Sequence, residues 1–416
     1  MTERLLQYIW QFQHFNSSEL RTTTEEPLLI LQPGLFNHNQ GPDFLDARIR
    51  SGDTVWAGHV EIHIRTSDWN RHGHTGDKHY SNVILHVVWE NDLPISDLPV
   101  LELNGRVAGW LLSRYEELMA AQSFIPCGSS IGTINPLVVI AFQGRLLAER
   151  LERRAAYIRD CLAQNQQHWE ETCWWLLAKN FGCRLNEDAF EAVARSLPVR
   201  LLARHKGQIH QLEALLFGQA GLLDSNFAED YPALLRREYE YLQKKYALAP
   251  IHHRFHFLRM RPVNFPTVRL AQLAALINRS TGMFSEMMSA ESIKELYRIL
   301  DCEANDYWHY HFRFDEPGNY QPKRLGKSML DTLIINTAAP LLFAYGLHHD
   351  NDSQQARAIH WLEELAAEKN KITSSFRKLG VAARHAADSQ GLLELKAHYC
   401  DKKKCLDCAI GAALLK

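Results

Sequence analysis

The spacing of apolar positions changes twice along the chain, and each change marks a different kind of element. Over residues 2–16, Leu5, Leu6, Ile9, Trp10 and Phe12 recur close to helical spacing, which predicts a short amphipathic helix. Leu28–Leu31 reads as a strand, ended by Pro33-Gly34. Residues 44–65 alternate with a period of two on either side of Ser51-Gly52-Asp53, the pattern of a β-hairpin. In its second arm Val60, Ile62 and Ile64 face one way and Glu61, His63 and Arg65 the other. A polar stretch over 66–80, with a helix or loop around Asp77–Tyr80, leads to Asn82–Glu90 (NVILHVVWE). That continuous apolar run predicts a central strand covered on both faces. Leu93–Leu103 adds a strand-like segment interrupted by Pro94 and Pro99.

From about residue 134 the helical period takes over, with helices expected at 136–164, 168–180, 187–204, 230–246, 289–300, 325–346, 353–369 and 389–416, among others. Pro126, Gly128, Ser129, Ser130, Gly132 and Pro136 crowd between the two regions and read as a linker. The expected fold class is therefore α+β. A small mixed-sheet α/β module spans 1–125, and a large all-α region with a C-terminal cysteine cluster spans 134–416.

A chain of 416 residues accommodates two or three domains, and 46% apolar content supports a large core. No uninterrupted apolar run reaches 18 residues, so no membrane contact is expected. The opening MTERLLQYIW lacks the order of a signal peptide, which predicts a cytoplasmic chain. The formal charge is −2, but residues 1–115 hold 9 Lys+Arg against 14 Asp+Glu. A strongly basic footprint for nonspecific DNA binding is absent. An acidic catalytic module neutralised by divalent cations fits this balance.

The sharpest chemical pattern is Pro42-Asp43, hairpin, Glu61-Ile62-His63. Side chains opposed across an antiparallel pair lie about 5 Å apart, so two carboxylates on one face can share a hard cation. Glu61 and His63, two apart, reach the same face, where an imidazole can orient or deprotonate a water beside the metal. This arrangement resembles the PD-(D/E)XK nuclease superfamily, whose order of elements matches. The resemblance implies a restriction-endonuclease-like module and metal-dependent phosphodiester hydrolysis. Asp43 and Glu61 would hold Mg2+ or Mn2+, with His63 in the place of the usual lysine. His63 and the following Trp69-Asn70-Arg71-His72 are similar to the very-short-patch mismatch-repair branch, so His72 joins the implied catalytic set.

Histidine density supports a second reading. The segment RHGHTGDKHY offers His72, His74, Asp77 and His79, and a zinc hydrolase could be built from His63, His72, His74 and Asp77. His86, inside the apolar run, reads as a hydrogen-bonded core histidine. In the tail, Cys400, Cys405 and Cys408 follow C-x4-C-x2-C spacing, suited to zinc or an iron–sulfur cluster; His398 and the distant Cys302 are candidates for a fourth ligand. Arg259, Arg261, Lys323, Arg324 and Lys327 are candidate phosphate contacts for a nucleic-acid partner, DNA or RNA. Asn336, in the apolar run IINTAAPLLFAYG, needs buried partners, and Pro340 is expected to bend that helix.

Over nearly its whole length the chain also resembles an uncharacterised bacterial family catalogued as a domain of unknown function. The match is carried by GPDFLDARI (41–49), WAGHVEIHIRTSDW (56–69), RMRPVNFPTVRLAQLA (259–274), GKSMLDTLIINTAAPLLFAYG (326–346) and YCDKKKCLDCAIG (399–411). That family brings no activity with it. The leading expectation is thus a metal-dependent nuclease. The alternatives are a zinc hydrolase and a non-catalytic binding scaffold on a degenerate nuclease fold.

Overall fold

The computed structural model describes residues 1–93 and 98–416 and has the α+β architecture expected. The expected strand over Leu93–Leu103 lies partly outside the described residues, and within them only Val100–Glu102 is strand. Packing divides the chain into two compact units, residues 1–142 with 395–416, and residues 143–394.

The first unit is built on a mixed sheet. Helix α1 (Glu3–Gln11) is capped by the Thr2 side chain and buries Leu5, Leu6, Ile9 and Trp10. Strands β1 (Leu28–Gln32), β2 (Leu35–Phe36), β3 (Phe44–Ser51) and β4 (Thr54–Arg65) pair antiparallel, with β1 and β2 both on β3. The hairpin turn falls where expected, between Ser51 and Thr54. After a short helix α2 (Asp68–Arg71), strand β5 (Val83–Glu90) returns parallel to β4, and β6 (Val100–Glu102) lies parallel on its far side. The sheet order is β1-β3-β4-β5-β6. Flanked on both sides, β5 has Leu85, Val87 and Val88 fully buried, which accounts for its unbroken apolar sequence.

One irregularity in the hairpin governs the chemistry. From Ser51↔Thr54 to Ala47↔Gly58 the register is regular, but Phe44 pairs with Val60, so one extra residue has been taken up in β3. Asp46, with φ 59°, lies in that bulge, and its N–H donates to His59 Nδ1 at 3.3 Å. In regular continuation Asp43 would oppose Ile62; the bulge sets it opposite Glu61 and on the same face.

The C-terminal segment closes this unit. Arg4 on α1 pairs with Asp407, and Tyr8 Oη donates to the carbonyl of Ala412 at 3.5 Å. The single helix expected over 389–416 is instead broken. A helix over Ala386–Glu394 runs into a π-turn at Leu395–Cys400, turns follow through the cysteines, and a last helix covers Ala409–Leu414.

The second unit is helical throughout and has its own core. Trp174, Trp308 and Trp361 are fully buried in it. The expected helix 187–204 is two helices, because Leu197-Pro198 stops the first and Pro198 opens the second. The expected helix 289–300 begins only at Ile293, where the Ser292 hydroxyl accepts the N–H of Glu295. Lys327–His348 runs as one continuous helix, long and apolar enough to cross a membrane, yet it is mostly buried within the unit. The π-turn at Ile334–Ala338, directly before Pro340, is the distortion within this helix.

Candidate metal centre

Asp43 enters β3 with both carboxylate oxygens already engaged. Oδ2 accepts the N–H of Ile62 at 3.1 Å, and Oδ1 accepts the side-chain amide of Gln7 at 2.9 Å. Its own N–H donates to Glu61 Oε2 at 3.0 Å. The two carboxyls therefore lock to each other's strands through the backbone. Glu3, one turn before Gln7 on α1, is a third acid close enough to act on both. Burial, and in Glu61 the neighbouring Asp43, push both carboxyl pKa values up. A desolvated acid pair of this kind invites a cation.

The imidazoles meet the same acids. His63 is 1% exposed. Its Nδ1 lies 2.9 Å from His86 Nε2, and its Nε2 lies 3.1 Å from His72 Nδ1 and 3.5 Å from Glu61 Oε1. His74 Nε2 is 3.3 Å from the same Glu61 oxygen, while its ring stacks on Tyr80 at 3.8 Å. One nitrogen each from His63, His72 and His74 fall within 4.8 Å of one another. Burial, reinforced by the neighbouring imidazoles, drops His63 to about 2, and burial likewise drops His86 to about 4. These rings are neutral at physiological pH. The tautomer of His63 that donates from Nδ1 to His86 would turn its Nε2 lone pair towards His72 Nδ1 and Glu61 Oε1.

Local sequence explains the convergence. His86 sits in parallel register with Glu61, hence on the same face of the sheet. Asp68 accepts the N–H of Arg65 at 3.1 Å and pairs with Arg71 at 2.8 Å, fixing the short helix that follows β4. Trp69 is buried against the rings of His74 and His86. Gly73, with φ 77°, turns the chain between His72 and His74 in a conformation that L side chains rarely adopt. His74 Nε2 and His86 Nδ1 are buried without a hydrogen-bond partner. An electron-pair acceptor at the centre would satisfy the first of these.

The two sequence readings thus describe one place. Asp43, Glu61 and His63 converge with His72 and His74. Asp77 does not join them; its carboxylate accepts the N–H and approaches the ring of His79, each at 2.9 Å, on an exposed turn. Glu61 occupies the role assigned to Asp77. Sequence reasoning passed over Glu3 and Gln7, whose only sequence signal was the polar side of an amphipathic helix. It also passed over Tyr80. His86 is hydrogen-bonded in the core as expected, and its partner is His63.

Cys400, Cys405 and Cys408 lie near enough to Cys127, a residue from the linker region that sequence spacing could not connect to them, for the thiols to act on one another's ionisation. Burial, reinforced by the neighbouring thiols, raises the pKa of Cys127 to about 11 and of Cys405 to about 12, and raises that of Cys400 as well. The backbone N–H groups of Ile410 and Gly411 point at Cys408. Gly411 admits no side chain, since a Cβ would lie 2.1 Å from the carbonyl of Cys405. Cys302 sits in the core of the helical unit, its Sγ 3.3 Å from the carbonyl of Gln272, while His398 lies in the π-turn before Cys400. Of the candidate phosphate contacts, Arg261, Lys323 and Arg324 line a cleft of the helical unit; Arg259 and Lys327 are exposed and do not line it.

The fold and site together define an α+β chain with a histidine- and carboxylate-lined centre on a mixed sheet. Residues 3–371 match the profile of a family described as "Protein of unknown function (DUF2851)", and the chain belongs to that family. Neither a curated protein nor a solved structure matches it.

Proposed function

We propose that the centre on the sheet is that of a metal-dependent hydrolase that cleaves phosphodiesters in nucleic acid. One observation carries the reading. Glu61 Oε1 lies 3.5 Å and 3.3 Å from the Nε2 atoms of His63 and His74, while Asp43 is tied to Glu61 across the hairpin. The residues present fit a divalent cation: carboxylate oxygens, imidazole nitrogens freed of protons by burial, and a buried His74 Nε2 that faces Glu61 Oε1 without a hydrogen bond. The mixed nitrogen and oxygen donor set favours Zn2+ or Mn2+ over Mg2+. Such an ion supplies Lewis acidity and a bound water that ionises near neutral pH. His63, His74 and Glu61 would hold it, His86 fixes the ring of His63, and Asp43 fixes Glu61. The exposed ring of His72 can pass a proton to bulk water. The order helix, hairpin, helical turn and parallel strand, with the acid entering one arm and Glu-x-His on the next, supports a phosphodiester substrate through its likeness to PD-(D/E)XK nucleases.

Labelled single- and double-stranded DNA and RNA would be incubated with protein in Zn2+, Mn2+ or Mg2+, beside Asp43→Asn, Glu61→Gln and His63→Ala. Cleavage lost in all three variants supports the proposal. Cleavage unchanged in the variants, or absent from a parent that takes up no metal, leaves a binding scaffold instead.

A second reading concerns the tail. Four thiols gathered at Cys127, Cys400, Cys405 and Cys408, one of them receiving two backbone N–H groups, support a structural zinc or iron–sulfur centre. Metal and sulfide content with visible absorbance after anaerobic purification would separate the two, and a metal-free protein with four titratable thiols would refute both.

A further inference from the structure

The helical unit contains a cleft of about 1260 Å3 whose charge is overwhelmingly of one sign. Ten Arg and Lys side chains line it against two Glu. Four of the cations have a carboxylate partner, Arg150 and Arg153 sharing Glu394, Lys179 with Glu191, and Arg324 with Asp301. Arg154, Arg184, Arg261, Arg269, Lys323 and Lys371 have no carboxylate within ion-pair distance among the described residues.

Two of these six are interior. Arg269 is 6% exposed and Lys323 3%. Arg269 reaches neutral oxygens on Asn264 and on Gln272 (2.8 Å) and the thiol of Cys183, itself pushed up by burial, and its Nε is left without a partner. The Nζ of Lys323 donates to the carbonyl of Gln321 at 2.9 Å and lies 3.9 Å from the ring centre of Phe312. Arg154 likewise grips a neutral group. Its guanidinium donates to Asn336 Oδ1 at 2.6 Å and to the carbonyl of Asn336 at 3.4 Å, within the π-turn. This gives the half-buried Asn336 its partners. Burial lowers the pKa of all three cations. A cation removed from water without a counter-charge is costly to the fold. Amides that orient such a cation without cancelling it make a receptor for an anion.

The size and lining narrow the ligand. Arginine forks match phosphate oxygens two at a time, and six cations without an ion-pair partner, set against Glu187 and Glu368 in the same lining, still exceed what one phosphate can balance. The cleft is larger than the roughly 300–1,000 Å3 of a drug-sized pocket, and Val263, Val268 and Met329 give it apolar wall. We infer that this cleft binds a ligand carrying two or more phosphate groups together with an apolar or ring portion, as in a stretch of single-stranded nucleic acid or a free nucleotide. The inference does not rest on the metal chemistry of the sheet, and its test is run without metal.

In EDTA, anisotropy of a labelled 12-residue oligothymidylate would be titrated with the full chain at several salt concentrations. ATP, tripolyphosphate and citrate serve as competitors. The exposed pair Arg261→Ala/Lys371→Ala should weaken binding about tenfold or more and lower the salt slope by about one for each cation lost. Lys323→Met should weaken binding while leaving the melting temperature equal or higher, since it removes an uncancelled buried charge. Oligonucleotide binding that ATP displaces poorly assigns the site to nucleic acid; ATP binding without oligonucleotide binding assigns it to a nucleotide. No binding of oligonucleotide, ATP or tripolyphosphate at millimolar concentration overturns the inference. So does binding that all these variants leave intact.

Discussion

The backbone N–H of Asp43 donates to Glu61 Oε2 at 3.0 Å, so the acid that enters one hairpin arm is held by the acid in the middle of the other. Replacing Glu61 by Gln keeps an acceptor for that N–H and removes a carboxyl whose ionisation burial and Asp43 oppose. Glu61→Gln is expected to fold with unchanged or higher stability yet to lose divalent-metal affinity by about a hundredfold or more. Calorimetric titration with Zn2+ and Mn2+ beside thermal melting checks both halves.

His86 acts through its neighbour. It meets His63 Nδ1 at 2.9 Å and leaves the ligand set untouched when changed. His86→Phe should lower metal affinity about 10- to 100-fold, the usual scale for removing a partner that orients a metal-binding histidine. Competition against a chromophoric chelator measures it. Unaltered affinity would show that His63 is held by packing alone.

Glu213 gives the helical unit a pH dependence. It is fully buried, accepts from Trp308 Nε1 at 3.0 Å and from Tyr231 Oη at 2.9 Å, and burial raises its pKa to about 8. The raised folded value means that the native state holds a proton the unfolded chain has released. Its stabilisation is complete below about pH 4.5 and is lost as pH rises towards 8 and beyond. Chemical denaturation between pH 5 and 9 should show stability falling by about 4 kcal/mol and levelling off above about pH 8, and Glu213→Gln should flatten that slope.

Gly58 lies where β4 is clasped by both neighbours. A Cβ there would stand 2.4 Å from the carbonyl of Asn82 and 2.5 Å from Ile84 Cγ2. Gly58→Ala is expected to cost about 1–3 kcal/mol by overpacking. Urea titration of the variant gives the value, and a loss below about 0.5 kcal/mol would mean the strands separate freely.

Much of this architecture was legible beforehand. Alternation over 44–65 announced the hairpin and put Glu61 and His63 on one face, and the unbroken apolar run announced β5. The partnership of Asp43 with Glu61 was legible only as a motif, because strict alternation would have turned Asp43 to the other face; a backbone bulge is a property of φ, not of hydrophobicity. The gathering of His72 and His74 beside Glu61 depended on a turn at Gly73 that periodicity does not describe. Cys127 and the tail are separated by more than 250 positions, and local pattern carries no information over that distance. Helix ends at Pro198 and Ser292 were missed because the apolar spacing continues through them, whereas a missing N–H or a capping hydroxyl does not.

The extra residue in β3 also bears on how the arm tolerates a change in length. A deletion of one codon near Asp46 would leave a hairpin of nearly the same length and apolar face, able to pair and fold, but with Asp43 turned from Glu61. The pairing of the two acids and the fold that carries them are therefore separable by a single small change in the length of this arm.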